Sequence, residues 1–253
     1  MRVRVISDLH IKNPDDPMYV TLLHWLEESN GEAGIIILLG DIFDLFLGSK
    51  AFFKHKYRSF FERIESLLQS GNKVFWVEGN HDFLLKSLEL DLKGLVVAEE
   101  RIDFSVNGVR FYFEHGDLVD TSDVGYLWLR RFFRSSFIKI FVKVMPGFLL
   151  SKLGDLLSKR SRSYSETLDA SDVKRVREVY AMRARELADQ GFQFIAMGHS
   201  HLLQEETLLE NSGHFFNLGY PPVDRVTIEW QPGAKKWTRK FLPLEIMSTR
   251  TDT

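Results

Sequence analysis

The chain runs to 253 residues, of which 44% are hydrophobic and 27% charged, the balance of a globular domain able to bury a sizeable core rather than of a disordered or strongly charged tail. With no cysteine present, disulfides, thiolate-bound zinc, iron–sulfur clusters and a cysteine nucleophile are excluded. A net charge of −2 leaves any attraction to nucleic acid or membrane to local clustering.

In chain order, Val3–Ile6 reads as a strand that begins almost at Met1 and runs straight into Ser7-Asp8-Leu9-His10. A secretory signal needs an apolar stretch of about 7–15 residues there, and a membrane span needs about 18, so the expectation is a cytoplasmic protein. Met18–Ser29 carries Leu22, Leu23 and Leu26 at helical spacing, and Ile35–Leu39 is an unbroken apolar run, the pattern of a strand covered on both faces. Phe52–Ser70 repeats apolar residues at helical period and ends at Gly71, and Val74–Val77 is a further buried strand. This β-α-β-α-β opening predicts a layered α/β domain. Asn107-Gly108, between Ile102–Val106 and Val109–Phe113, predicts a hairpin. Phe194–Met197 is again a short buried strand, and Gln204–Leu209, His214–Leu218, Arg225–Trp230 and Lys236–Phe241 read as antiparallel strands. Helices first and hairpins later predict a mixed sheet or two packed sheets.

One segment stands apart. From Val124 to Ser163 there are nine Lys or Arg against the single acid Asp155, a local charge of +8, interleaved with Tyr126, Trp128, Phe132, Phe133, Phe137, Ile140 and Phe141. Pro146-Gly147 interrupts it, so two amphipathic helices inserted into the α/β frame are expected. Phe and Leu outnumber the Tyr, Trp and Arg platforms on which bases stack, which argues against a nucleic-acid partner.

Chemistry-bearing side chains fall into five groups: Asp8-Leu9-His10, Gly40-Asp41-Ile42-Phe43-Asp44, Gly79-Asn80-His81-Asp82, His115-Gly116-Asp117 and Gly198-His199-Ser200-His201. Most follow an expected buried strand directly, and ligands of open α/β sheets bind beyond the carboxyl ends of strands. In extended backbone, residues two apart point the same way, so Asp8 with His10 and His199 with His201 are each expected to face one metal cluster. The glycines let the backbone turn sharply and approach a ligand closely. Carboxylate, imidazole and amide oxygens suit Mn²⁺, Fe, Zn²⁺ or Mg²⁺. A lone D-x-H is a weak signal, but five groups in this order are specific.

That order, D-x-H, GD-x-x-D, GNHD, H-G-D and GH-x-H over Asp8–His201, resembles the calcineurin-like metallophosphoesterase superfamily. The resemblance implies a four-layer α/β/β/α sandwich, one domain over residues 1–253, with a dinuclear metal centre. Asp8, His10, Asp41 and His201 would hold the first ion. Asp41, as the bridge, would hold the second with Asn80, His115 and His199. Mn²⁺ is the expected ion, with Mg²⁺, Fe or Zn²⁺ as alternatives. Two cations about 3.5–4 Å apart lower the pKa of a shared water, and the hydroxide attacks phosphorus. His81 would then act as general acid or charge stabiliser, with Asp82 orienting its imidazole.

Within the superfamily, the same motifs together with Asp120-Thr121-Ser122-Asp123-Val124-Gly125-Tyr126 are similar to the UDP-2,3-diacylglucosamine pyrophosphohydrolases of lipid A biosynthesis. Those enzymes cut their substrate into UMP and 2,3-diacylglucosamine 1-phosphate and carry a helical lid after the H-G-D motif, which maps here to about 123–164. The likeness implies a nucleotide-linked glycolipid substrate touched by Asn80, His81, Asp123 and His199. It also implies peripheral contact with the anionic inner face of the cytoplasmic membrane. His81 stands where that family usually carries Arg and matches the wider superfamily. A phosphodiesterase or phosphatase acting on another nucleotide or small phosphoester is therefore the alternative.

Overall fold

The computed structural model describes residues 1–31, 33–152, 169–208 and 213–243. The expected lid span therefore lies outside the described residues beyond 152, and the strand expected to end at Leu209 is described as far as Leu208.

Two sheets face each other. The first has six strands in the order β13 (Thr238–Phe241), β12 (Val226–Trp230), β1 (Val3–Ile6), β2 (Ile35–Leu38), β4 (Lys73–Val77) and β6 (Leu95–Ala98). The second has five, in the order β10 (Gln204–Leu208), β11 (Gly213–Asn217), β9 (Phe194–Met197), β8 (Val109–Glu114) and β7 (Arg101–Val106). A small pair, β3 (Phe46–Leu47) beside β5 (Asp82–Phe83), sits apart. Strands β1, β2, β4 and β6 run parallel, as do β8 and β9, so the ends that carry the motif loops emerge together along one edge.

Three apolar clusters make the layers. Between the sheets lie Val3, Val5, Ile37, Phe111, Phe113, Phe194, Phe216 and Trp230. On the outer face of the first sheet, Leu38, Trp76 and Val97 meet Leu22 and Trp25 of α1 (Pro17–Glu27) and Phe60, Ile64 and Leu67 of α3 (Arg58–Gln69). On the outer face of the second, Tyr112, Ile195 and Phe215 meet Tyr180, Ala184 and Leu187 of α7 (Ala170–Asp189). Alternate residues of one strand thus serve opposite faces: Ile35 and Ile37 point between the sheets, Ile36 and Leu38 outward. The result is an α/β/β/α sandwich.

Two expectations change. The helix expected over 52–70 is divided at Tyr57 (φ −112°, ψ 37°) into α2 (Ala51–Lys56) and α3. The break turns the Tyr57 ring into the core, where its hydroxyl donates to the carbonyls of Ile11 and Lys12 at 3.3 and 3.1 Å. The carboxy-terminal strands are not one antiparallel run. β11 pairs antiparallel with β10 but parallel with β9, whereas β12 crosses to the first sheet and lies antiparallel to β1. Every residue of β11 and β12 is buried, so each needs a sheet neighbour on both sides.

Beyond β8, α5 (Val124–Phe133) and α6 (Ser136–Val144) follow one another, capped by Asp123 and Ser135, so the stretch expected to form one helix before Pro146-Gly147 is already divided at Arg134-Ser135. Ile138, Val142 and Leu150 reach into the first helical layer's cluster, while α5 buries no residue completely.

Candidate metal centre

The five motif loops converge. Backbone bonds lace them together: Asp8 N–H to the Gly40 carbonyl at 3.1 Å, His10 N–H to Asp41 at 3.0 Å and Gly198 N–H to His115 at 2.9 Å. Three sets of donor atoms gather there: His10 with Asp44 and His81, and, among the expected ligands, Asp8 with His10 and His201 and Asp41 with His115 and His199. Between them, one oxygen of Asp41, Oδ2, lies 3.7 Å from His10 Nε2 and 3.5 Å from His115 Nε2. His10 and His201 turn Nε2 atoms toward each other at 3.0 Å, and His201 Nε2 is 3.6 Å from Asp8 Oδ1. The Asn80 amide oxygen is 2.9 Å from His199 Nδ1 and 3.3 Å from His115 Nε2. All seven side chains expected to hold metal are therefore brought to one place.

The spacing rationale is corrected by the backbone. Asp8, His10, Asp41, His199 and His201 have φ of 53°, 48°, 53°, 66° and 56°, so neither D-x-H nor H-x-H is extended. His199 and His201 accordingly belong to different sets. Left-handed backbone at a non-glycine residue is disfavoured and persists where the surroundings over-determine it. Here the lacing of one loop to the next does so. The glycines do two things. Gly40 has φ +82°, as a sharp turn requires, and a Cβ on it would also collide with the His115 ring, whereas Gly79 and Gly198 supply space alone. A Cβ on Gly79 would collide with the Asp41 carboxylate, and one on Gly198 with that of Asp8.

The donor chemistry fits divalent cations. His115 Nδ1 donates to the Leu39 carbonyl at 2.9 Å, which leaves Nε2 as the inward atom. Burial pushes His10 well below the usual imidazole value; burial and the charge of His115 lower His199 to about 4, so both offer lone pairs at neutral pH. Burial alone would raise Asp41, but the imidazoles of His115, His81 and His10 hold it well below the carboxylate range. Burial would likewise lower His115, yet the Asp41 carboxylate lifts it to about 10. Imidazoles, carboxylates and an amide oxygen form a borderline-to-hard set suited to Mn²⁺, Fe, Zn²⁺ or Mg²⁺.

A family model described as calcineurin-like phosphoesterase matches residues 1–203. The chain belongs to that family. It is thus a phosphoester hydrolase of a class that uses divalent metals. Two curated relatives are named UDP-2,3-diacylglucosamine hydrolase. The one from Ectopseudomonas mendocina is 26% identical over 79% of this chain and 81% of its own. The one from Aeromonas salmonicida is 25% identical over 96% and 95%. Among solved structures, an archaeal phosphodiesterase aligns over 96% of this chain and 100% of its own at TM-score 0.49 and 14% identity.

Placed in this calcineurin-like phosphoesterase, the other expected residues divide. His81 lies edge-on to His10, 4.8 Å between ring centres, and its Nδ1 donates to the Asp44 carbonyl at 2.7 Å. The expected orienting bond from Asp82 is absent. Asp82 Oδ1 accepts the N–H groups of Asp41 and Gly79, both at 2.9 Å, and Oδ2 accepts Ile42 N–H at 2.8 Å and the Trp76 indole at 3.3 Å. Its carboxylate is spent on joining the loop after β2 to the loop after β4. Asp123 caps α5, accepting Tyr126 N–H at 2.9 Å. Residues to which the motifs assign no role complete the surroundings: Ser7 donates to Asp8 at 2.5 Å, Tyr220 stacks on His201 at 4.8 Å, and Tyr126 lies 5.4 Å from the His199 ring. Tyr126, Arg130 and Arg134 recur every four residues, a helical stripe that pattern analysis of the basic segment could have singled out.

Proposed function

We propose that this phosphoesterase hydrolyses the pyrophosphate of UDP-2,3-diacylglucosamine, giving UMP and 2,3-diacylglucosamine 1-phosphate, with two divalent ions at its centre, Mn²⁺ by preference. Asp8, His10, Asp41 and His201 would hold one ion, and Asp41, Asn80, His115 and His199 the other. The position of Asp41 Oδ2 between His10 and His115 supports a bridging carboxylate. When bound, such a pair supplies Lewis acidity and a nucleophile at neutral pH. The chain's own part is orientation and proton handling. The Asp44 carbonyl holds the Nδ1 proton of His81, so Nε2 is the atom free to carry a proton to the leaving oxygen. Asn80, His81, His199 and, beyond its capping bond, Asp123 line the approach of the diphosphate.

The observation that carries the substrate reading is the exposed apolar surface of α5 and α6, the first of which meets the centre through Tyr126. Trp128, Phe137, Ile140 and Val144 are 67%, 69%, 64% and 80% exposed, on helices that also present Arg131, Lys139 and Lys143. Two acyl chains need such a surface, each buried CH₂ contributing about 0.8 kcal/mol. The cations suit an anionic bilayer, each worth about 1 kcal/mol near its surface. No helix among the described residues is long and apolar enough to cross a membrane, so contact at the inner leaflet would be peripheral. His81, in place of the family's usual Arg, favours a second reading, a phosphodiesterase for another nucleotide or small phosphoester. Purified protein with Mn²⁺ should release UMP from UDP-2,3-diacylglucosamine far faster than it turns over bis-p-nitrophenyl phosphate. Turnover of the simple ester alone would select the second reading.

A further inference from the structure

Helix α5 is fastened to the sandwich by polar side chains from a single stripe. Arg130 Nε and the Tyr126 hydroxyl donate to the same oxygen of Asp117, at 2.5 and 2.9 Å. One turn further on, Arg134 Nη2 donates to Glu78 Oε2 and to the Gly79 carbonyl, both at 3.2 Å. These are not surface pairs. Asp117 and Glu78 side chains are 5% and 3% exposed, and the other oxygen of Glu78 accepts Leu85 N–H at 2.7 Å. Deleting one partner of such a pair leaves a buried charge uncompensated.

The places held are informative. Glu78 and Gly79 immediately precede Asn80, Asp117 is two residues beyond His115, and Tyr126 lies against the ring of His199. The Asn80 loop hangs from the first sheet, the His115 and His199 loops from the second. Among the described residues, no hydrogen bond, ion pair or ring contact joins α5 to Asp8, His10 or His201. One lid helix therefore spans the two sheets at the loops of one ligand set and leaves the other untouched.

We propose that α5 is a strut that sets the second ion's site, with Arg130 and Arg134 as positioning residues that hold the His115 and Asn80 loops at the separation this ion requires. The proposal rests on the two-ion reading above. It makes lid docking and loading of the second ion a single event, because each fixes the same two loops.

The test is Mn²⁺ titration of the full chain by calorimetry, with electron paramagnetic resonance of the loaded protein reporting whether two ions are exchange-coupled. Wild type should take up two coupled ions. Arg134→Gln should leave one site at wild-type affinity and weaken the other about 10–100-fold, the usual effect of removing a partner behind a ligand, with the coupled signal replaced by that of an isolated ion. Arg134→Lys, which restores the charge, should recover part of the loss. Arg130→Gln acts on the opposite loop and should give the same site-selective result, which separates a strut from general loosening. Unchanged affinity at both sites in the two glutamine variants, or equal weakening at both, overturns the strut and leaves the two-ion reading standing. A single ion in wild type overturns both.

Discussion

The centre and the lid are built on opposite terms. At the centre, Asp8, Asp41 and His115 are at most 1% exposed, and strained backbone is pinned by loop-to-loop bonds. On the lid, α5 completely buries none of its residues, and large apolar side chains face outward. A non-glycine left-handed residue costs about 1 kcal/mol or more, and five of them approach the net stability of a domain. Such strain is tolerable only where burial and hydrogen bonding surround it. An exposed apolar helix has the reverse problem, since its stability on the body rests on a few polar ties and on Phe133 packed against Phe83. Rigidity in the centre suits side chains that would hold metal; a lightly held, apolar helix is what the proposed glycolipid substrate would need.

The sharpest way to break this contrast is to remove the carboxylate proposed as the bridge. Asp41→Asn keeps the shape but removes the charge that both imidazoles face. If Asp41 holds the ions as proposed, a Lewis-acid contribution of about 4 kcal/mol goes with them, so kcat should fall about a thousandfold while circular dichroism stays native. Retained activity would remove Asp41 from the reaction. Asp82→Ala should behave differently. It orphans the N–H groups of Asp41 and Ile42 and the indole N–H of Trp76, while Gly79 N–H keeps the Asp82 carbonyl; each orphan is a buried donor worth about 1–3 kcal/mol when unpaired. The urea midpoint should therefore drop by the equivalent of about 3 kcal/mol or more. An unchanged midpoint with lost activity would return Asp82 to a catalytic role.

A third measurement reads the charge at the centre. His115, lifted to about 10 by Asp41, carries a proton at pH 7 that an ion on Nε2 must displace. Raising the pH toward 10 empties that proton, so apparent Mn²⁺ affinity should rise about tenfold per pH unit between pH 7 and 8. Calorimetry in buffers of different ionisation enthalpy should show at least one proton released per protein. A flat profile would mean that His115 does not bind through Nε2.

How much of this could be read beforehand differs by element. Val3–Ile6, Ile35–Leu38 and Val74–Val77 are legible because a strand covered on both faces has little but apolar residues. Helix α7 is not, because its buried stripe relies on Ala181 and Ala184 among many charges. The convergence of the seven side chains expected to hold metal is legible from residue type and order. Their left-handed backbone is not, since it is imposed by neighbouring loops rather than by Asp or His themselves. Arg130 and Arg134 look like free surface charge because their partners, Asp117 and Glu78, lie 13 and 56 residues away.

The smallest expected effect probes the lid without touching its ties. Trp128 stacks on Phe132 at 5.8 Å and Phe137 stands clear of the body, so Trp128→Ser with Phe137→Ser changes the outer surface and spares Asp117 and Glu78. Full burial of one such side chain in lipid is worth about 1.5–3 kcal/mol; partial insertion of two supports a loss of about tenfold in affinity for anionic vesicles. Turnover of bis-p-nitrophenyl phosphate should be unchanged, because that ester needs only the centre. A fall in both would mean that the apolar surface braces the fold and that the lid differs from the centre less than its exposure implies. A fall in vesicle binding and in KM-limited hydrolysis of the glycolipid alone would assign the exposed helices to lipid and the buried loops to chemistry.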